Sequence, residues 1–119
     1  NEFGVTLPTG SWTSAVIRFS WDSDTTQTGV KTARWCIGQK STATATAEPG
    51  TWETEVCSNV ALASGEVAGT VHVTAITHTA TGIGSGKKFS MYIKRDPDDV
   101  ADDAAGKTRM LSAMLELSQ

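Results

Sequence analysis

The sequence predicts an all-β fold: an antiparallel β-sandwich or jelly roll of about six to eight strands, with one short helix before the last strand. Three observations carry this. Apolar residues recur at every second position along most of the chain, the period of a strand with one buried face. Threonine, whose β-branch suits half-exposed strands, occurs 18 times in 119 residues. Eleven glycines punctuate the alternating segments at turn positions.

The elements follow in order. Residues 1–10 read as an N-terminal extension or arm, in which Val5 to Leu7 can add a short strand. From Ala15 to Trp21, Ala15, Ile17, Phe19 and Trp21 share one face; Ser14, Arg18 and Ser20 share the other, with Val16 as the exception. Asp22 to Gly29 is a polar loop. In Val30 to Gln39, Ala33, Trp35 and Ile37 alternate with Arg34, Cys36 and Gly38. Ser41 to Ala47 is a small-residue run closed by Glu48-Pro49-Gly50, and reads as a long surface loop. Trp52 to Leu62 is a strand with Val56 and Val60 inward. Thr70 to His78 offers Val71, Val73 and Ala75 as the inward set, leaving His72, Thr74 and His78 outside with Ile76 among them. Thr81 to Lys88 is a glycine-rich loop. Phe89, Met91 and Ile93 alternate with Ser90, Tyr92 and Lys94. In Thr108 to Leu117, Leu111, Ala113, Leu115 and Leu117 point in, and Ser112 and Glu116 point out. Asp98 to Ala105, between Pro97 and Gly106, has the end signals of a two-turn helix.

With 119 residues and no internal repeat or linker, residues 1–119 form one domain. Roughly 15 inward apolar side chains at ~1.5–3 kcal/mol each suffice for one core before chain entropy is counted. The net charge of −3 and the lack of a basic patch argue against nucleic acid. No apolar run approaches the ~20 residues of a membrane helix. Residues 1–10 have neither the basic nor the apolar region of a signal peptide, and a first residue other than Met points to a processed chain or a fragment.

Candidate sites are few. Asp96, Asp98, Asp99, Asp102 and Asp103 are dense enough to attract Ca²⁺, but their spacing is not that of an EF-hand. The simpler reading places them at the positive end of the short helix, balanced by Lys94 or Arg95. Asp22 and Asp24 read as turn residues. No carboxylate sits within an apolar strand face, so paired-acid catalysis has no support, and no Gly-x-Ser-x-Gly elbow is present. No cofactor is expected. His72 and His78, six residues apart on one strand, lie roughly 20 Å apart and cannot share a metal unaided. If the strands around the Thr-Ala run pair as a hairpin, Cys36 stands opposite Cys57, Arg34 opposite Asn59 and Gly38 opposite Glu55. The cysteines can then form a disulfide or remain free. Trp21 and Trp35 fall on core faces; Trp12 and Trp52, at strand edges, are the aromatics available to a ligand or a neighbouring subunit.

The run Phe89-Ser-Met-Tyr-Ile-Lys-Arg-Asp-Pro-Asp-Asp-Val-Ala-Asp-Asp-Ala-Ala-Gly106, followed by the strand Met110 to Leu117, resembles the C-terminal β-sandwich of many phage and prophage structural proteins. Trp12 with Phe19 and Trp21, the stretch Val30 to Trp35, and Val71 to Thr77 before Gly82-Ile83-Gly84 follow the same order. The likeness thus spans about residues 11 to 118. It implies a jelly-roll-like, non-enzymatic virion protein, a capsid decoration, spike or fibre component, in contact with other virion proteins and typically homotrimeric. The cysteines and the Ser-Thr-Ala run lie outside that pattern and keep two other readings open: a carbohydrate-binding module and a subunit of an extracellular filament.

Overall fold

The computed structural model describes residues 2–6, 12, 14–42, 52–79 and 88–118. They form seven strands: β1 (Glu2–Thr6), β2 (Ser14–Ser23), β3 (Lys31–Thr42), β4 (Val56–Leu62), β5 (His72–Thr79), β6 (Lys88–Arg95) and β7 (Thr108–Ser118). A four-stranded sheet in the order β1-β6-β3-β4 faces a three-stranded sheet in the order β5-β2-β7, and every pairing is antiparallel. The fold is therefore all-β and consistent with a β-sandwich. The loops expected at 41–50 and 81–88 are shorter, since Ser41 and Thr42 belong to β3 and Lys88 to β6, and what remains of them lies outside the described residues; the strand expected from Trp52 begins only at Val56.

The core sits where the alternation places it. Ala15, Ile17, Phe19 and Trp21 from β2 meet Ala33, Trp35 and Ile37 from β3 and Phe89, Met91 and Ile93 from β6. Trp35 packs against both aromatics of β2, with ring centroids 5.0 Å from Phe19 and 5.3 Å from Trp21. The β3–β4 register pairs Cys36 with Cys57 and Arg34 with Asn59, as the hairpin requires.

Three further expectations are corrected. The first is the phase of β5. Its inward residues are His72, Thr74, Ile76 and His78, and Val71, Val73 and Ala75 face out. The cause lies in β2. Trp21 is fully buried and its indole N–H needs an acceptor, which Thr74 Oγ1 supplies at 2.9 Å. The His72 ring stacks on Trp21 at 4.7 Å and bonds to Glu66. His78 lies opposite Ala15, whose small side chain leaves it room.

The second is Leu111 and Ala113 of β7. The β2–β7 register slips at Ser20/Trp21, pairing Ser20 with Ser112 but Trp21 with Met110. The bulge makes Leu111 the extra residue and turns it outward, where it is 51% exposed. Ala113 stands opposite Phe19 but stays exposed on an edge strand. Met110, Leu115 and Leu117 pack against the core.

The third is the helix. None forms over Asp98 to Ala105; a tight turn runs into extended chain. Ala101 N–H donates to Asp99 Oδ1, and the Asp103 and Ala104 amides both donate to the Thr32 carbonyl of β3. A helix would forfeit these bonds to β3, and the aspartates that cap helices equally close turns.

One end of the sandwich is sealed by a buried amide. Gln27 Nε2 donates to the carbonyls of Thr25 (2.9 Å) and Ala105 (3.1 Å), and its Oε1 accepts from Ala105 N–H (2.9 Å). Gly106 follows with φ +83°, and a Cβ there would strike the Thr25 side chain and Asp24 Oδ1. Gly106→Ala combines backbone strain with a clash. It is expected to lower the unfolding free energy by about 2 kcal/mol, read as a lower urea midpoint at unchanged m.

Candidate functional site

The aspartate-rich turn is a network of ion pairs and amide bonds. Arg95 grips Asp102 with two parallel hydrogen bonds, Nε to Oδ2 at 2.9 Å and Nη2 to Oδ1 at 2.7 Å, and also donates to the carbonyls of Ala104 and Gly106. Asp102 Oδ2 accepts the Arg34 amide at 2.8 Å, and Asp103 Oδ1 accepts the Thr32 amide at 2.7 Å. Arg34 lies between Asp96 (3.7 Å) and Asp99 (3.6 Å), and Lys31 reaches Asp103 at 4.0 Å. Asp98 is exposed. Burial raises the Asp102 pKa, but the Arg95 bonds and the Arg34 and Ala104 amides outweigh it and hold the carboxyl below its ordinary value. The cluster joins the β6–β7 connection to the start of β3, and its oxygens point at arginines and amides instead of converging on one centre.

Asp22 and Asp24 likewise fasten β2 to β7. Arg109 holds Asp22 in a second bidentate pair (2.8 and 2.7 Å), which lowers the Asp22 pKa. Asp24 accepts from Thr25 Oγ1 and Lys107 N–H, which lower its pKa in that order.

Cys36 and Cys57 are joined by a disulfide across the β3–β4 hairpin. Among the described residues, the single grouping of metal-ligand type is Cys36, Glu55 and Cys57, and its two sulfurs are bonded to each other.

Trp12 packs against the core. Trp52 is half-buried beside the outer face of the four-stranded sheet. Its ring meets Tyr92 edge-on at 4.8 Å, and the Lys40 ammonium lies 4.3 Å from its centroid. Tyr92 lies over Gly38, where a Cβ would enter its ring. The Tyr92 hydroxyl donates to Glu55 Oε1 at 2.5 Å, and Lys94 meets the same oxygen at 2.8 Å. Lys94 and then Tyr92 draw the Glu55 pKa down, while burial and the bond to Glu55 push Tyr92 up to about 12.

Two surfaces emerge. The first is a cleft of about 680 Å³, where the segment before β4 parts from the end of β5; Trp52, Glu53, Glu55, Thr77 and His78 line it. Glu53 is held by Gln39, whose carbonyl accepts its amide at 2.9 Å and whose Nε2 donates to its Oε2 at 2.5 Å. His78 is 5% exposed, and neither of its ring nitrogens has a partner among the described residues. The second is the outer face of β5-β2-β7. Val71, Val73, Leu111 and Met114 are exposed there around the pairs Arg18–Glu116 (3.0 Å) and Ser20–Ser112 (2.6 Å), with a shallow groove between Arg18, Val73 and Met114.

Sequence reasoning marked Trp52 but not its surroundings. It placed His78 and His72 outside, and both face in. Glu53, Gln39 and Tyr92 carried no signal in isolation. Comparison of the chain with protein-family models, with curated proteins and with solved structures finds no match.

Proposed function

We propose that this domain is a non-enzymatic structural subunit that assembles with copies of itself through the outer face of the β5-β2-β7 sheet. The observation that carries the reading is the inversion of β5. Valines 71 and 73 stand in solvent, more than half exposed, while threonine and histidine occupy the interior. With Leu111 and Met114 on β7 they set exposed apolar side chains on both sides of the Arg18 and Ser20 row of β2, and exposed apolar side chains grouped on one face mark a contact site. Its charge pattern suits a second copy. Arg18 and Glu116 are each about half exposed, so each can meet the opposite charge on a neighbouring copy.

The resemblance of residues 11 to 118 to phage virion β-sandwiches supports reading such a subunit as a decoration, spike or fibre component of a particle, with a trimer as the assembly that likeness implies. A disulfide fits a virion surface or another extracellular structure. The jelly-roll reading draws on the connectivity: the chain changes sheet at every connection except the β3–β4 hairpin.

The test is mass against concentration by sedimentation. The wild-type chain is expected to associate between about 10 μM and 1 mM. The double variant Val73→Asp, Met114→Asp is expected to stay monomeric, with stability changed by less than about 0.5 kcal/mol because both side chains are exposed. A wild-type chain that remains monomeric throughout the range overturns the proposal.

A further inference from the structure

A second contact between copies lies at the edge of the same sheet. We propose that β7 pairs edge to edge and antiparallel with β7 of a second copy, so that two three-stranded sheets become one continuous sheet. The proposal rests on the self-association argued above, but it uses the edge of the sheet where that reading uses its outer face.

β7 is open on two counts. Its 11 residues pair with β2 on one side, and on the other side no strand lies beside it among the described residues. Its inward side chains are also incompletely covered. Ala113 stands opposite the buried Phe19 yet is exposed, and Leu115 and Leu117 are only half-buried. At β5, the other edge of this sheet, the inward Thr74, Ile76 and His78 are all buried. Edge strands are commonly guarded by a lysine, a proline or an inward-pointing charge. Residues 108–118 include no lysine and no proline. Both charged side chains of the strand turn back onto β2, Arg109 to Asp22 at 2.7 Å and Glu116 to Arg18 at 3.0 Å.

The strand's own pattern selects a second copy as the occupant. The bulge at Leu111 interrupts the alternation, so the regular stretch is 112–118. Two copies of that stretch match over its full length in one antiparallel register, with Leu115 on the two-fold axis. Ala113 then stands opposite Leu117, Met114 opposite Glu116 and Ser112 opposite Ser118. Each pair shares a face, as antiparallel pairing requires, and the inward pairs cover the leucines and the alanine that β7 leaves open. Moving the axis to Met114 would carry the bulged Leu111 into the pairing. Charge agrees with this arrangement. Glu116 is the one charged residue of the stretch, and a parallel, in-register pairing would set it against its own copy. The antiparallel register places it opposite the second copy's Met114, in the same row as that copy's Arg18.

The test uses two cysteine variants of the full chain, Ser112→Cys and Ser118→Cys, oxidised mildly, each alone and mixed. Both positions are exposed, and Cys36 and Cys57 are bonded to each other and do not compete. In the proposed register residue 112 of one copy meets residue 118 of the other, while like positions stay ~20 Å apart. The mixture is expected to give a disulfide-linked dimer that neither variant gives alone. Adding Ala113→Lys to both variants puts a charge on the inward side of the edge and is expected to abolish the cross-link. Adding Val73→Asp, across β2 on β5, is expected to leave it; Met114 belongs to both contacts and cannot separate them. A urea midpoint checks that each variant is folded. The edge pairing is overturned if the mixture cross-links no better than the single variants, if Ser112→Cys links to itself as readily, or if Ala113→Lys leaves the yield unchanged. Sedimentation separates this failure from that of the outer face. A chain that associates without cross-linking in the mixture loses the edge pairing alone, and a chain that stays monomeric loses both.

Discussion

Asp102→Asn is expected to lower the unfolding free energy by roughly 3–5 kcal/mol, the cost of removing one partner from a buried ion pair. The Asp102 side chain is 1% exposed and that of Arg95 11%, so neither charge has water to fall back on. The carboxylate takes two bonds from Arg95 and one from the Arg34 amide. An amide side chain cannot accept all three, and one of its N–H groups would face the guanidinium. A domain of this size is typically stable by about 5–15 kcal/mol, so the loss is a large share. It should appear as a fall of more than about 10 °C in Tm.

The same carboxylates set the response to acid. Asp102, Asp22 and Asp24 each have a folded-state pKa below the ordinary aspartate value. A lowered folded-state pKa means the unfolded chain takes up the proton first as pH falls. The stabilisation is therefore complete above the unfolded value, and it is lost as pH drops through the folded one. The contribution of these three carboxylates should be complete above about pH 5 and be lost below about pH 4. In Asp102→Asn the acid slope should be shallower. An equally steep slope would mean that Asp102 is not among the groups that control it.

Alternation made the β3–β4 register legible. Shifting it by one residue would put Arg34 and Gly38 inside and Trp35 and Ile37 outside. For β5 the same alternation was visible, but period two defines two faces without saying which is buried. Val71-Val73-Ala75 is the more apolar set, and hydropathy alone chooses it. The choice is reversed by one group on another strand, the Trp21 indole, which needs Thr74 and stacks on His72. The aspartate segment failed for a related reason. Its residue types cap helices and close turns equally well, and what decides between them is the backbone of residues 32–34 of β3 on the side that β6 leaves open, some 70 residues earlier in the chain. The cleft was least legible. His78 on its wall belongs to the β5 face that hydropathy assigns to solvent, and the meeting of Glu53 with Gln39 depends on how the chain enters β4.

Breaking the Cys36–Cys57 bond is expected to destabilise the domain by about 3 kcal/mol, the loop-closure entropy of a ring of some 20 residues. The sequence separation is 21, and the loop it closes includes the whole Thr-Ala run. That run is rich in small polar residues and contributes little apolar surface, so the unfolded chain gains much freedom when the bond is cut. The bridge also lies beside Glu55 and Val56, so it holds the lower wall of the cleft against β3. Two measurements separate these effects. Reduction with dithiothreitol, or the double variant Cys36→Ser, Cys57→Ser, should lower the urea midpoint with little change in m. Amide exchange should rise first in the segment 52–57, which the bridge anchors, while β2 and β6 keep their protection until global unfolding. If the reduced chain matches the oxidised one in both measurements, the strand pairing alone fixes the hairpin, and the bridge adds nothing to the cleft it borders.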